Sequence, residues 1–143
     1  MRVLHVYKTY MPYTVGGVET VINEIASNTN HMGISNHILC ANSGTEDSNK
    51  VFKGYRVSTC KSSLTIANTP FSYSMISKFR ELSRESDIIH YHFPYPFMDL
   101  LHLLHSVNKP SIVTYHSDII KQKYLLNINY ILLCHKTLKS NIF

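Results

Sequence analysis

Five runs of β-forming, largely apolar residues alternate with stretches of helical spacing, and this alternation constrains the fold more than any other feature of the chain. The runs are Arg2–Tyr7 (RVLHVY), Asn36–Asn42 (NHILCAN), Tyr55–Cys60 (YRVSTC), Asp87–Phe93 (DIIHYHF) and Pro110–Asp118 (PSIVTYHSD). The first is mostly apolar at odd and even positions alike, as expected of a strand covered on both faces. After it, Val18, Val21, Ile22, Ile25 and Ala26 form one helical stripe, with Glu19, Asn23 and Glu24 outside it. Glu19 falls in the first turn, where the helix dipole favours an acid. Met75, Ile76, Phe79 and Leu82 mark a second helix within Ser72–Glu85, and PFMDLLHLLHSV a third, with Pro96 near its first turn. The polar segment SGTEDSNKVFKG reads as a loop, SLTIANTPFS as a mobile connection, and everything after Asp118 as weakly helical. The order βα, ββ, α, βα, βα implies crossovers, and therefore an α/β, Rossmann-like, doubly wound parallel sheet with helices on both faces.

A length of 143 residues holds one domain, and 44% hydrophobic residues suffice for one core. Only 16% are charged, with a formal net charge of +5. That excess suits anionic partners such as phosphates, nucleotides, nucleic acid or acidic headgroups, and equally a mildly basic soluble protein. The basic residues are scattered and no nucleic-acid module is legible, so nucleic acid is set aside. Cys40, Cys60 and Cys134 have no C-x-x-C spacing, which points to neither a disulfide framework nor a zinc finger and suits a reducing cytoplasm. The start lacks the long apolar run of a signal peptide, and nothing approaches the roughly 18 apolar residues of a membrane span. The expectation is a cytoplasmic chain, soluble or peripheral on the inner face of the membrane, with Lys78, Arg80 and Arg84 as either a lipid-facing or a solvated surface.

In an open parallel sheet, ligands gather at the carboxyl ends of the strands. Three groups fall there: Gly16-Gly17 after the first strand, His90 with His92 at the fourth, and Tyr115–Asp118 at the fifth. Adjacent glycines before a helix permit positive φ and let free backbone N–H groups face a phosphate; a plain strand-to-helix turn accounts for them as well. Neither G-x-G-x-x-G nor the P-loop pattern is present. His90, His92 and His116 offer three imidazoles to a metal, but no neighbouring Cys or Glu completes the set, and no metal site is assigned. His116 suits a hydrogen bond to a ligand, and Asp118 either a ligand hydroxyl or a cap. Tyr91, Phe93, Tyr95 and Phe97 suit core packing or stacking on a sugar ring.

Taken together, RVLHVYKTYMPYTVGGVETVINEIA, DIIHYHFPYPFMDLLHLL and PSIVTYHSDIIKQK resemble the N-terminal domain of GT-B glycosyltransferases of family 4, the bacterial O-antigen and surface-polysaccharide type. The likeness runs from Met1 to about Lys123, leaving 124–143 as a divergent helical or disordered tail. It implies an acceptor-side Rossmann-like domain facing a donor-binding domain across a cleft. Gly16 and Gly17 would contact the donor diphosphate, His116 would be the catalytic histidine at the donor sugar, and Glu19, His92 and Asp118 would contact acceptor or sugar. It further implies retention of anomeric configuration, a nucleotide-sugar donor without cofactor or metal, and a glycan or lipid-linked acceptor.

The family pattern also includes a C-terminal domain with two glutamates eight positions apart. Glu19, Glu24, Glu46, Glu81 and Glu85 contain no such pair. The expectation is therefore a truncated transferase that is inactive alone, with a non-catalytic remnant or one subunit of a split enzyme, partnered by a separately encoded C-terminal half, as the alternatives.

Overall fold

The computed structural model describes residues 1–44, 46–66 and 68–116. The expectations for Asp118, Cys134 and the tail, and the domain boundary at 123, lie outside the described residues. The elements are β1 (Arg2–Val6), α1 (Gly17–His31), β2 (Ser35–Asn42), β3 (Ser48–Phe52), β4 (Tyr55–Lys61), β5 (Leu64–Ile66), β6 (Thr69–Phe71), α2 (Tyr73–Glu85), β7 (Ile88–Phe93), α3 (Pro96–Leu104) and β8 (Ser111–Tyr115).

Six strands form one sheet in the order β3-β4-β2-β1-β7-β8, parallel throughout except for β3, and β5-β6 form a separate hairpin. The α/β, Rossmann-like expectation therefore holds. From β1 the chain works outward to β2 and β4, then returns to β7 on the other side of β1 and continues to β8. The direction of winding reverses between β1 and β7, and in sheets of this kind ligands bind beyond the carboxyl ends of the strands at such a reversal.

Register assigns the faces. Val3 pairs with Asn36, His5 with His90, and His92 with Thr114, so these residues share one side of the sheet. Helix α1 covers that side: the Asn36 amide donates to the carbonyl of Ala26 at 3.0 Å. Val6 pairs with Tyr91 on the opposite side, where the rings of Phe79 in α2 and His102 in α3 stand 6.4 and 5.6 Å from Tyr91. Leu4, Leu39, Met75, Phe79, Leu82 and Ile89 are buried in one core cluster. Ser72 caps α2 by accepting from the Met75 amide at 3.3 Å. Lys109 closes the other end by donating to the carbonyls of Arg84 and Ser86.

Three readings need correction. The polar segment before Tyr55 contains strand β3, which pairs antiparallel with β4. Only one neighbour covers it, so it has no reason to be apolar, and the two-residue turn Lys53-Gly54 takes positive φ at both positions (47° and 85°). The segment read as a mobile connection contains the β5-β6 hairpin. Helix α1 is rotated relative to the apolar stripe. It buries Glu19, Ile22, Asn23 and Ala26, while Val21 faces solvent. Two polar residues on the buried face signal a polar environment beneath the helix, which periodicity of apolar residues cannot register.

Candidate active site

The loop after β1 is held from below. Tyr55 donates to Asn23 Oδ1 in α1 at 2.9 Å, which leaves its oxygen to accept from Tyr10 at 2.8 Å. This buried chain ties the loop to α1 and β4. The loop ends at Gly16, the N-cap residue of α1, with φ −147° and ψ −179° and no side-chain cap. Gly16 is thus extended, and neither it nor Gly17 takes the left-handed conformation that the paired glycines suggested. Space decides instead. A Cβ on Gly16 would lie 2.6 Å from Glu19 Oε2, whereas one on Gly17 would meet nothing within 4 Å apart from its chain neighbours and the backbone of its own helix. The first glycine makes room for Glu19. The second leaves bare backbone at an exposed helix start, where the first-turn N–H groups have no intrahelical acceptor.

Glu19 is 5% exposed and accepts from Thr9 Oγ1 at 2.7 Å. Burial, with a smaller contribution from the Glu19 charge, pushes the Tyr7 hydroxyl up to about 12. The same carboxylate partly offsets the burial that lowers the pKa of His116. Glu19 is therefore within electrostatic reach of both loops.

Beneath this rim lies a buried row of imidazoles. His116 Nε2 is 3.0 Å from His92 Nδ1, His92 Nε2 is 3.1 Å from His5 Nδ1, and His5 Nε2 is 3.1 Å from Asn36 Oδ1. The Asn36 amide nitrogen donates to Ala26 O, Thr29 Oγ1 and Ile34 O at 3.0, 2.9 and 3.2 Å. His90 is 4.2 Å from His92, ring centre to ring centre, and bonds Thr114 Oγ1 at 2.6 Å. His5 and His92 are 1% and 0% exposed. Burial, reinforced by neighbouring imidazoles, lowers His5 and His90 to about 4 and His92 to about 2, so all three are neutral at pH 7.

The structure thus brings Gly16, Glu19, His92 and His116 to one edge of the sheet, with Gly17 exposed beside them; Asp118 lies outside the described residues. As ligands for an ion, His5, His90 and His92 place one nitrogen each within 4.8 Å of one another. That trio replaces His116 of the sequence-based set by His5. Sequence reasoning also missed Asn36. The available signal was a histidine inside the apolar run RVLHVY, the same alternating position that HYH occupies in β7.

Of the aromatic group, Tyr91, Phe93, Tyr95 and Phe97 are all buried, in line with core packing. Lys78 pairs with Glu81 at 2.9 Å. Asp99, 4% exposed and with neither carboxylate oxygen hydrogen-bonded, is raised to about 7 by burial. Cys40 and Cys60 are free and buried. No helix among the described residues is long and apolar enough to cross a membrane.

Parallel strands, a reversal of winding between β1 and β7, and an exposed helix start on the sheet edge that also carries His92 and His116 define an α/β protein of the Rossmann-like kind. The sequence profile of Glycosyltransferase Family 4 matches residues 15–137, and the chain belongs to that family. It is similar to D-rhamnosyltransferase WbpZ of Pseudomonas aeruginosa, at 49% identity over 128 residues. It is also similar to O-antigen chain mannosyltransferase C of Escherichia coli, at 43% identity over 128 residues. Each alignment covers 90% of this chain but 34% of the relative, so the chain spans about a third of the length of the curated relatives it matches.

Proposed function

We propose that this chain forms the acceptor-side, N-terminal domain of a retaining glycosyltransferase. The reaction moves a hexosyl group from a nucleoside diphosphate to a glycan or lipid-linked acceptor during surface-polysaccharide assembly. The names of both relatives favour a manno-configured sugar, rhamnose being 6-deoxymannose. One observation carries the reading: the unobstructed backbone at Gly17 opens the first turn of α1 at the edge where Glu19 stands within electrostatic reach of His116.

As the bond to the sugar breaks, negative charge grows on the departing diphosphate. Amides fixed at a helix start meet that charge without reorganising, which is where such donors lower a barrier. A side chain at Gly17 would stand between them and the phosphate. His116 and Glu19 supply hydrogen-bonding groups for sugar hydroxyls, and Asp118 is assigned to the same task. A donor-binding C-terminal domain, on the same or a separate polypeptide, closes the cleft and excludes water. The chain by itself is expected to transfer little sugar.

The test joins this chain to the remaining part of the Escherichia coli relative and follows transfer from GDP-mannose to a lipid-linked glycan, with the product anomer assigned by NMR. Gly17→Val, with unchanged circular dichroism, is expected to lower kcat/KM by roughly 100-fold, the scale of losing a preorganised donor to a developing anion. Undiminished transfer by both Gly17→Val and His116→Ala would remove the site, and an inverted product would remove the retaining mechanism.

A further inference from the structure

The row from His116 to Asn36 has a direction, and the direction is set at its buried end. The Asn36 nitrogen spends its hydrogens on Ala26, Thr29 and Ile34, so Oδ1 is the atom left to face His5 and it accepts. His5 must then carry its proton on Nε2. Its Nδ1 is a lone pair and accepts from His92 Nε2. His92 Nδ1 is in turn a lone pair and accepts from His116 Nε2. Each neutral imidazole holds one ring proton, so fixing the first fixes all three. An amide oxygen neither gives nor takes a proton at ordinary pH, so the row ends blind: it orients its members and cannot carry charge away. Burial keeps the inner members neutral, as the reasoning requires.

We infer that Asn36, His5 and His92 are positioning residues that lock His116 as its Nε2–H tautomer, leaving Nδ1 as a hydrogen-bond acceptor for a hydroxyl rather than a donor to a phosphate oxygen. Only the identity of that hydroxyl, one on the donor or acceptor sugar, rests on the proposed transferase function; the tautomer does not. The inference also separates the row from a metal site. A cation held between His5 Nδ1 and His92 Nε2, the nitrogens that face each other at 3.1 Å, with His90 as third ligand, would need both lone pairs together. His92 would then carry its proton on Nδ1 and donate it to His116 Nε2, and the proton of His116 would move to Nδ1. The two states have opposite tautomers at His92 and at His116.

Long-range ¹⁵N–¹H spectra of the imidazoles in the ¹⁵N-labelled chain at pH 7.5 read this directly. His5, His92 and His116 are each expected with a protonated Nε2 and a bare Nδ1. Asn36→Leu removes the fixed end and is expected to shift His116 toward the average of a free imidazole. His92→Gln, which still donates and accepts, keeps His116 fixed, whereas His92→Phe releases it. Should these variants fail to fold, the wild-type spectrum decides alone. A wild-type His116 protonated on Nδ1, or averaged between tautomers, overturns the inference. So does a switch to Nδ1–H on adding one equivalent of zinc chloride.

Titration of the same sample, and of the joined enzyme, with GDP-mannose separates the two proposals. A fixed Nε2–H tautomer whose signals ignore the sugar nucleotide in both samples keeps the lock and removes the sugar contact. A response from an averaged ring keeps the contact and removes the lock.

Discussion

The two faces of the sheet are built on different terms. Opposite α1, the packing of Met75, Phe79 and Leu82 on Leu4, Leu39, Ile89 and Tyr91 is largely apolar. Beneath α1 the buried inventory includes Glu19, Asn23, Asn36, His5, His90 and His92. Hydrocarbon burial contributes about 25 cal/mol per Å² whatever the arrangement. A buried polar group contributes only when each partner is in place, and it costs about 1–3 kcal/mol when one is missing. The apolar face therefore supplies stability, and the α1 face converts part of it into fixed geometry at the strand ends.

The contrast breaks most visibly on the apolar side. Phe79→Ala is expected to lower unfolding free energy by about 3–5 kcal/mol in urea titrations, while leaving the imidazole tautomers of the surviving folded fraction unchanged. A loss below about 1 kcal/mol would deny that face its role.

Acid separates the faces by a different route. His5, His90 and His92, with His37 on the other face, are held at about 4 or below when folded, against 6.5 when unfolded. The unfolded chain therefore binds more protons. The stability from these groups is complete above pH 6.5 and falls as pH drops toward 4. Asp99, raised to about 7, acts in the opposite sense, because its folded form holds the proton more tightly. Combining the two, urea titrations are expected to show a net loss of about 3 kcal/mol between pH 7.5 and 5.5. Asp99→Asn should deepen that loss, and a flat profile would contradict the neutral histidine row.

The smallest expected effect sharpens the comparison within the site. Gly16→Ala places a methyl 2.6 Å from Glu19 Oε2, and the shift this forces on the carboxylate is expected to disturb the bond that Thr9 makes to its other oxygen. The expected loss is about 1 kcal/mol, read together with the disappearance of the Thr9 hydroxyl signal and a shift of His116. An undisturbed Thr9–Glu19 bond would refute the account of why that position is glycine.

Much of this was legible in the sequence. The parallel strands and three helices follow from apolar runs and helical spacing: β1, β2 and β7 are buried on both faces, and α2 buries its stripe of Met75, Phe79 and Leu82. Gly16, Gly17, His92 and His116 were placed at strand ends by topology alone. What escaped has a common cause. Strand β3 is polar because one side of it has no neighbour. Glu19 and Asn23 fall outside the apolar stripe because they are polar, yet they are buried against polar partners. His5 and Asn36, 31 positions apart, meet through the pairing of β1 with β2, and no local pattern encodes that contact.

Strand β3 has one more consequence. It runs against the direction of its neighbour, spans five residues and turns Lys50 and Val51 to solvent. A short, reversed border with a lysine in it is a poor template for a strand from another molecule. Nascent or crowded copies are thus discouraged from zipping together along that margin, and the sheet stays finite there without a helix to cover it.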